Sequence, residues 1–214
     1  MTGAVLWDLD GTLVDNEEYH WIAWSDTMAA EGVAITREQF LETFGWRNDS
    51  IIPRFLGPGL APERIQKIGD DKEERYRALV RSRGVAPLAG VEGWVRRLDA
   101  EGWRQAIASS APRKNIETVM EVLGFNVYFQ AFSAAEDVVR GKPDPQVFLV
   151  AAERLGVPPE RSIVVEDAPA GIEAAHRAGM RAIAVGRAAA GRTADISVGS
   201  LAELPGDAFE RLLS

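Results

Sequence analysis

Strand-length apolar runs alternate with helix-length segments along most of this chain, and that alternation constrains the fold more than any other feature. Strands are predicted over residues 4–9, 104–108, 127–133, 162–166, 181–185 and 195–198. Helices are predicted between most of them, over 91–100, 112–123, 144–155 and 168–178. Gly124, Gly156 and Gly179 stand where helix C-termini call for a left-handed residue. Strands that alternate with helices build a parallel sheet covered on both faces. The expected fold is therefore α/β, a Rossmann-like parallel core.

The first crossover breaks the rhythm. Residues 16–85 read as helical, with helices predicted over 17–31, 37–44, 49–55 and 62–83, and Pro53 making the third short or irregular. No compact domain needs that much chain as loop. The segment is expected to be an inserted helical subdomain, 16–85, and the α/β core to comprise 1–15 and 86–214. Hinges are expected at 14–16 and 84–90. Ala188-Ala189-Ala190-Gly191 reads as a surface loop.

Composition narrows the function. A length of 214 residues with 46% hydrophobic content suffices for a core and an insertion. A net charge of −8 gives no broad basic footprint for nucleic acid or an anionic membrane. The absence of cysteine removes disulfides, thiolate catalysis and zinc–thiolate sites. Met1-Thr2-Gly3 runs into the first predicted strand without a basic or long apolar leader, and no apolar run approaches a membrane span. A cytoplasmic protein is the expectation, and Asn48-Asp49-Ser50 is then a chance match to a glycosylation sequon.

Four segments at the ends of predicted strands carry chemistry. Val5-Leu6-Trp7 delivers Asp8 and Asp10 into a turn at Gly11. Side chains two apart on a strand share a face, and ligands of open α/β sheets bind at the carboxyl edge. Ser109 and Ser110 end the second strand before Pro112, as an anion grip or a plain helix cap. Lys142 stands in Gly141-Lys142-Pro143-Asp144-Pro145, where two prolines fix the backbone around an ammonium that otherwise belongs to solvent. Glu166 and Asp167 follow an apolar strand, as ligands or as an ordinary acidic helix start.

If the strands are parallel, Asp8, Asp10, Ser109, Lys142, Glu166 and Asp167 converge on one edge. Two carboxylates ~4 Å apart at an effective dielectric of ~20 repel by about 4 kcal/mol, and one lysine does not offset four acids. A divalent cation does. An all-oxygen set suits magnesium (Mg2+), which keeps waters and phosphate oxygens among its ligands.

In this order, Asp8-Leu9-Asp10-Gly11-Thr12-Leu13-Val14-Asp15, Ser109, Lys142 and Glu166-Asp167 resemble the four signature segments of the haloacid dehalogenase-like hydrolases, in their magnesium-dependent phosphotransferase branch. Residues 171–180 resemble a helix of the β-phosphoglucomutase-like subgroup, and the insertion resembles the family's helical cap. The resemblance implies Asp8 as nucleophile, forming an aspartyl-phosphate, and Asp10 as general acid and then base. It implies that Ser109 holds a phosphoryl oxygen and Lys142 balances charge. Asp167 would bind magnesium with Asp8 and the Asp10 carbonyl, and Glu166 would bind directly or through water. Asp10 must carry a proton when it acts as an acid, so its pKa is expected to be raised in a closed, drier site.

The cap bears on substrate. His20 falls just after the first hinge, facing the site or merely packed. Trp21 and Trp24 fit one helix face and are expected in a core. Residues 43–49 are the expected loop over the site, with Arg47 and Asn48 as substrate-binding candidates or, for Arg47, an ordinary surface arginine. The lysine and arginine that mutases of the subgroup carry around this loop are not both evident. The expected function is therefore magnesium-dependent hydrolysis of a small phosphomonoester, a sugar phosphate or related metabolite, by a monomer. The alternatives are β-phosphoglucomutase and a non-catalytic metabolite-binding protein, against which intact Asp8 and Asp10 argue.

Overall fold

The computed structural model describes residues 3–191 and 193–214. Met1 and Thr2, at the head of the expected core segment, and Arg192 lie outside the described residues. Strand β1 (Ala4–Trp7) is followed by four helices, α1 (Glu17–Ala30), α2 (Arg37–Thr43), α3 (Asn48–Leu56) and α4 (Pro62–Arg83). Then come α5 (Val91–Ala100), β2 (Arg104–Ala108), α6 (Arg113–Leu123), β3 (Ala131–Ser133), α7 (Gln146–Leu155), β4 (Ser162–Glu166), α8 (Pro169–Arg177), β5 (Arg181–Val185), β6 (Ile196–Val198) and α9 (Ala208–Leu213). Among the described residues no helix is long and apolar enough to cross a membrane.

The six strands form one sheet in the order β3-β2-β1-β4-β5-β6, and every pairing is parallel. The fold is α/β and Rossmann-like. Strand order reverses beside β1, which has β2 on one side and β4 on the other, and such a reversal opens a crevice at the carboxyl edge. Alternation in β1 serves two cores. Val5 and Trp7 enter a cluster with Val95, Val119 and Phe209, from the helices on one face. Ala4 and Leu6 enter a second with Phe148, Ala151 and Ile172, from α7 and α8 on the other.

Helices α1–α4 carry a third cluster, in which Trp24, Met28, Phe40, Ile52 and Ile68 are buried and Trp21 packs against them. Ala23, Tyr76 and Val80 belong instead to the sheet's cluster, so these helices also lean on the core. The chain leaves and re-enters the core side by side, with Val14 bridged to Pro87 and the Leu88 amide donating to the Leu13 carbonyl at 3.0 Å.

Local chemistry explains where elements differ from expectation. Strand β1 stops at Trp7, although the Asp8 amide still donates to the Val165 carbonyl at 3.0 Å. The strand expected over 127–133 shrinks to its last three residues, because Asn126–Tyr128 turns as a 3-10 helix. Helix α7 begins at Gln146, not 144, because Asp144 Oδ1 accepts from the Gln146 amide and caps it from outside. Pro53 does not shorten α3, which runs through it for nine residues. The alanine patch is no free loop: Gly186–Gly191 is a 3-10 run, and Ala188 is buried.

Candidate active site

The carboxyl edge of β1 gathers side chains from three distant stretches. Lys142 Nζ donates to Asp8 Oδ1 at 2.6 Å and to Glu166 Oε1 at 2.5 Å. Asp8, Glu166 and Asp167 are buried, and one carboxylate oxygen from each lies within 4.8 Å of the others. Two glycines make this approach possible. A Cβ at Gly11, where φ is +86°, would meet Asp167 Oδ2 at 2.5 Å. One at Gly171 would meet Glu166 Oε1 at 2.0 Å. Glu166 Oε2 is taken by the Ala168 amide at 2.6 Å, so both oxygens of that acid already have a donor.

Electrostatics shows a surplus of negative charge in the cluster. Burial pushes the Asp8 carboxyl well above its ordinary range; Lys142 pulls it down, and Glu166, Asp167 and Asp10 push it further up. Burial and the Glu166 charge push Asp167 up to about 7, against Arg187 and Lys142. Burial would discharge the Lys142 ammonium, yet Asp8 and Glu166 override it and hold the proton more tightly than on a free lysine. Three buried acids share one buried ammonium, and all the donors are oxygens. That set fits a hard divalent cation, which would relieve the surplus charge.

Asp10 has a different environment. Asn16 Nδ2 donates to its Oδ1 at 2.5 Å, and His20 Nε2 lies 3.3 Å from the same oxygen. Burial raises the Asp10 carboxyl, but His20, Asn16 and Lys72 together override it and leave it below the ordinary range. The expected upward shift is therefore corrected: dryness alone does not decide the sign when hydrogen-bond partners and a nearby ammonium stabilise the carboxylate.

His20 lies at the centre of a buried polar stack. Its Nδ1 is 2.9 Å from Lys72 Nζ, its ring stacks on Tyr76 at 4.0 Å, and Phe44 meets it edge-on at 5.8 Å. Lys72 also donates to Glu73 Oε1 at 3.0 Å. Glu73 in turn accepts from Asn48 at 2.8 Å and from Asn115 of α6 at 2.6 Å, and Arg77 donates to Asn115 at 2.9 Å. None of Lys72, Glu73, Arg77 or Asn115 was singled out in the sequence. A signal existed: the buried stripe of α4 is Ile68, Gly69, Lys72, Glu73, Tyr76, Arg77 and Val80, so charges occupy positions whose helical spacing belongs to a packed face.

The remaining expected residues divide. Ser109 and Ser110 line the same cleft of about 420 Å³ as Asp8, Asp10, Lys142 and Asp167. Ser109 does not cap α6, whose N-cap is Pro112; its Oγ accepts from the Ala111 amide at 3.0 Å, in the turn ahead of the helix. His20 and Asn48 line a smaller cavity beside Asp10. Arg47 does not line that 420 Å³ cleft. It reaches across to the core, donating to the carbonyls of Ala135 at 2.7 Å and Val138 at 3.2 Å, and lies on Gly141, where a Cβ would stand 2.7 Å from its Cδ. Trp46, half exposed, lines the cleft instead.

A family profile described as haloacid dehalogenase-like hydrolase matches residues 5–185. Protein CbbY of Rhodobacter capsulatus is 32% identical over 189 residues, covering 84% of this chain and 83% of that protein. Hexitol phosphatase B of Escherichia coli is 33% identical over 210 residues, covering 94% and 93%. The crystal structure of β-phosphoglucomutase from Clostridium difficile superposes with a TM-score of 0.90 at 26% identity, covering 100% of this chain and 97% of that one.

Proposed function

Because this chain belongs to the haloacid dehalogenase-like hydrolase family, as a phosphoric monoester hydrolase of its β-phosphoglucomutase-like subgroup, we propose that it hydrolyses a small sugar phosphate through an aspartyl-phosphate on Asp8. One observation carries the proposal: Lys142 bridges Asp8 and Glu166 beside Asp167, a surplus of buried carboxylate aimed at a cleft that Ser109 and Asp10 also line.

Asp8, Asp167 and the Asp10 carbonyl would hold Mg2+, with Glu166 reaching it directly or through water. When bound, Mg2+ neutralises charge on the phosphoryl oxygens. An oxygen of Asp8 attacks phosphorus, and the bond from phosphorus to the ester oxygen breaks. Lys142 and the Ser109 hydroxyl compensate the charge on the transferring group. Asp10 gives the departing alkoxide its proton. A water then attacks the phosphorus of the aspartyl-phosphate, Asp10 takes its proton, and Asp8 and inorganic phosphate are released. His20, Asn16 and Lys72 around Asp10 favour its ionised form, which suits the second half. Arrival of a phosphoryl dianion raises its proton affinity for the first.

Residues 16–85 act as the cap in this scheme, excluding water when closed over the site. In this reading the enzyme works as a cytoplasmic monomer. β-Phosphoglucomutase is the second reading, and one observation favours it: Lys72 comes up from α4 beneath His20, a lysine that the loop at 43–49 lacks. Yet Lys72 is spent on His20 and Glu73, and Arg47 on core carbonyls, so neither offers a free grip for a second phosphate. The deciding experiment measures free phosphate from a panel of sugar phosphates beside glucose 6-phosphate formed from β-glucose 1-phosphate. Phosphate release from at least one sugar phosphate is expected. Fast isomerisation with negligible phosphate release overturns the choice.

A further inference from the structure

Arg187 is a cation of the cleft that the chemistry above leaves unused. It stands in the Gly186–Gly191 run after β5, and that run is fastened to the site, because the Ala188 amide donates to the Asp167 carbonyl at 3.0 Å. Its guanidinium faces three groups at once. Nη2 lies 3.8 Å from Asp167 Oδ2, Nη1 donates to Glu17 Oε2 at 3.1 Å, and the guanidinium carbon sits 5.2 Å from the centre of the Phe44 ring. Asp167 belongs to the acidic cluster. Glu17 opens α1, and Phe44 ends α2 with its ring against His20. A single side chain is thus shared between the cluster and the helices that cover it.

The geometry points to Arg187 as a positioning residue that ties cation binding at the acidic cluster to the clasp of the helical cap on the core, an inference that rests on the divalent-cation reading of that cluster. Arg187 and a bound cation compete for the charge of Asp167. Once the cation takes that charge, the guanidinium is held by Glu17 and Phe44 alone, and the clasp tightens. Conversely, Glu17 and Phe44 draw Arg187 away from Asp167 and free it for the cation. Arg37, 2.8 Å from Glu17 Oε1, fixes Glu17 where it can do so. Binding linkage is reciprocal, so the clasp can be read from cation affinity alone.

The test is Mn2+ binding to the full chain without substrate, followed by water-proton relaxation. Arg187→Gln is expected to bind Mn2+ about 5-fold more tightly, since a competing cation is gone. Glu17→Gln is expected to bind it about 2-fold more weakly, since Arg187 falls back on Asp167. The double variant should match Arg187→Gln alone, because Glu17 acts through Arg187, and Arg187→Lys should return toward wild type. Unchanged or weaker binding by Arg187→Gln overturns the inference, as does a double variant whose effect is the product of the singles. Wild type that binds no Mn2+, or binds it as Asp167→Asn does, fails the cation reading itself; binding that Asp167→Asn abolishes but Arg187→Gln does not tighten fails this inference alone.

Discussion

Lys142 Nζ stands 2.6 Å from Asp8 Oδ1, although 134 positions separate the two residues. Both side chains are nearly buried, and the ammonium's other partner is Glu166. Removing the ammonium strands two carboxylates in a dry site, so Lys142→Met is expected to cost about 3 kcal/mol of stability without metal. Urea melts should show saturating Mg2+ recovering part of that loss, while phosphate release stays at least about 100-fold down.

Asp8→Asn is expected to remove turnover by about 10^4-fold or more, since the nucleophile is gone. The fold survives, because burial already penalises the charge on Asp8 and an amide carries none. Phosphate release and a thermal melt measured on the same sample check both halves.

For Asp10→Asn the outcome depends on the ester. An alkyl phosphate needs its leaving oxygen protonated and should lose about 10^3-fold, whereas an aryl phosphate leaves as a stable phenolate and should lose much less. Comparing kcat on the two ester classes tests the acid role, and equal losses would remove it.

Exhaustive chelation is expected to abolish activity, with Mg2+ but not Zn2+ restoring it. Because the cation relieves repulsion among Asp8, Glu166 and Asp167, Mg2+ at 100 times its dissociation constant should also stabilise the fold by about 2.7 kcal/mol. Calorimetry with and without the ion reads this independently of turnover.

Away from the site, Asp137 carries a pH dependence. Hydrogen bonds from Arg154, with support from the Ala134 amide and Arg113, override burial and hold its carboxyl well below the ordinary value of 3.8. A depressed carboxyl stabilises the fold fully above its unfolded pKa and loses that contribution as pH falls through the folded one. The melting temperature of Asp137→Asn should therefore fall short of wild type at pH 6, by the equivalent of about 2 kcal/mol, and the gap should close steadily below pH 4.

Much was legible locally. Helices α4 and α5 and strands β2, β4 and β5 begin and end where periodicity and punctuation place them. Pro62 opens α4, and Gly156 ends α7 in a left-handed conformation. Asp8, Lys142 and Glu166-Asp167 could be named because each ends a strand or sits in a proline-braced turn, and a parallel sheet brings such ends to one edge.

The four charged and amide residues beneath and beside His20 were not named from the sequence, although the spacing of α4 carried a signal for three of them. Lys72, Glu73 and Arg77 fall in the helix predicted over 62–83, and burial of that face against α1 and α6 turns them into a network. Arg47 read as a substrate-binding or an ordinary surface arginine, but it finds the carbonyls of Ala135 and Val138, 88 and 91 positions away. The sign of the shift at Asp10 likewise depends on His20, Asn16 and Lys72 arriving from two helices and a turn.

By itself the amino-acid order determined the strand–helix alternation, the long interruption after β1 and which acids end which strands, since these depend on periodicity and turn chemistry over a few residues. Tertiary structure alone decided which buried charges find partners and in which direction each carboxyl titrates. Coulomb and desolvation energies depend on distances between side chains that no local rule supplies.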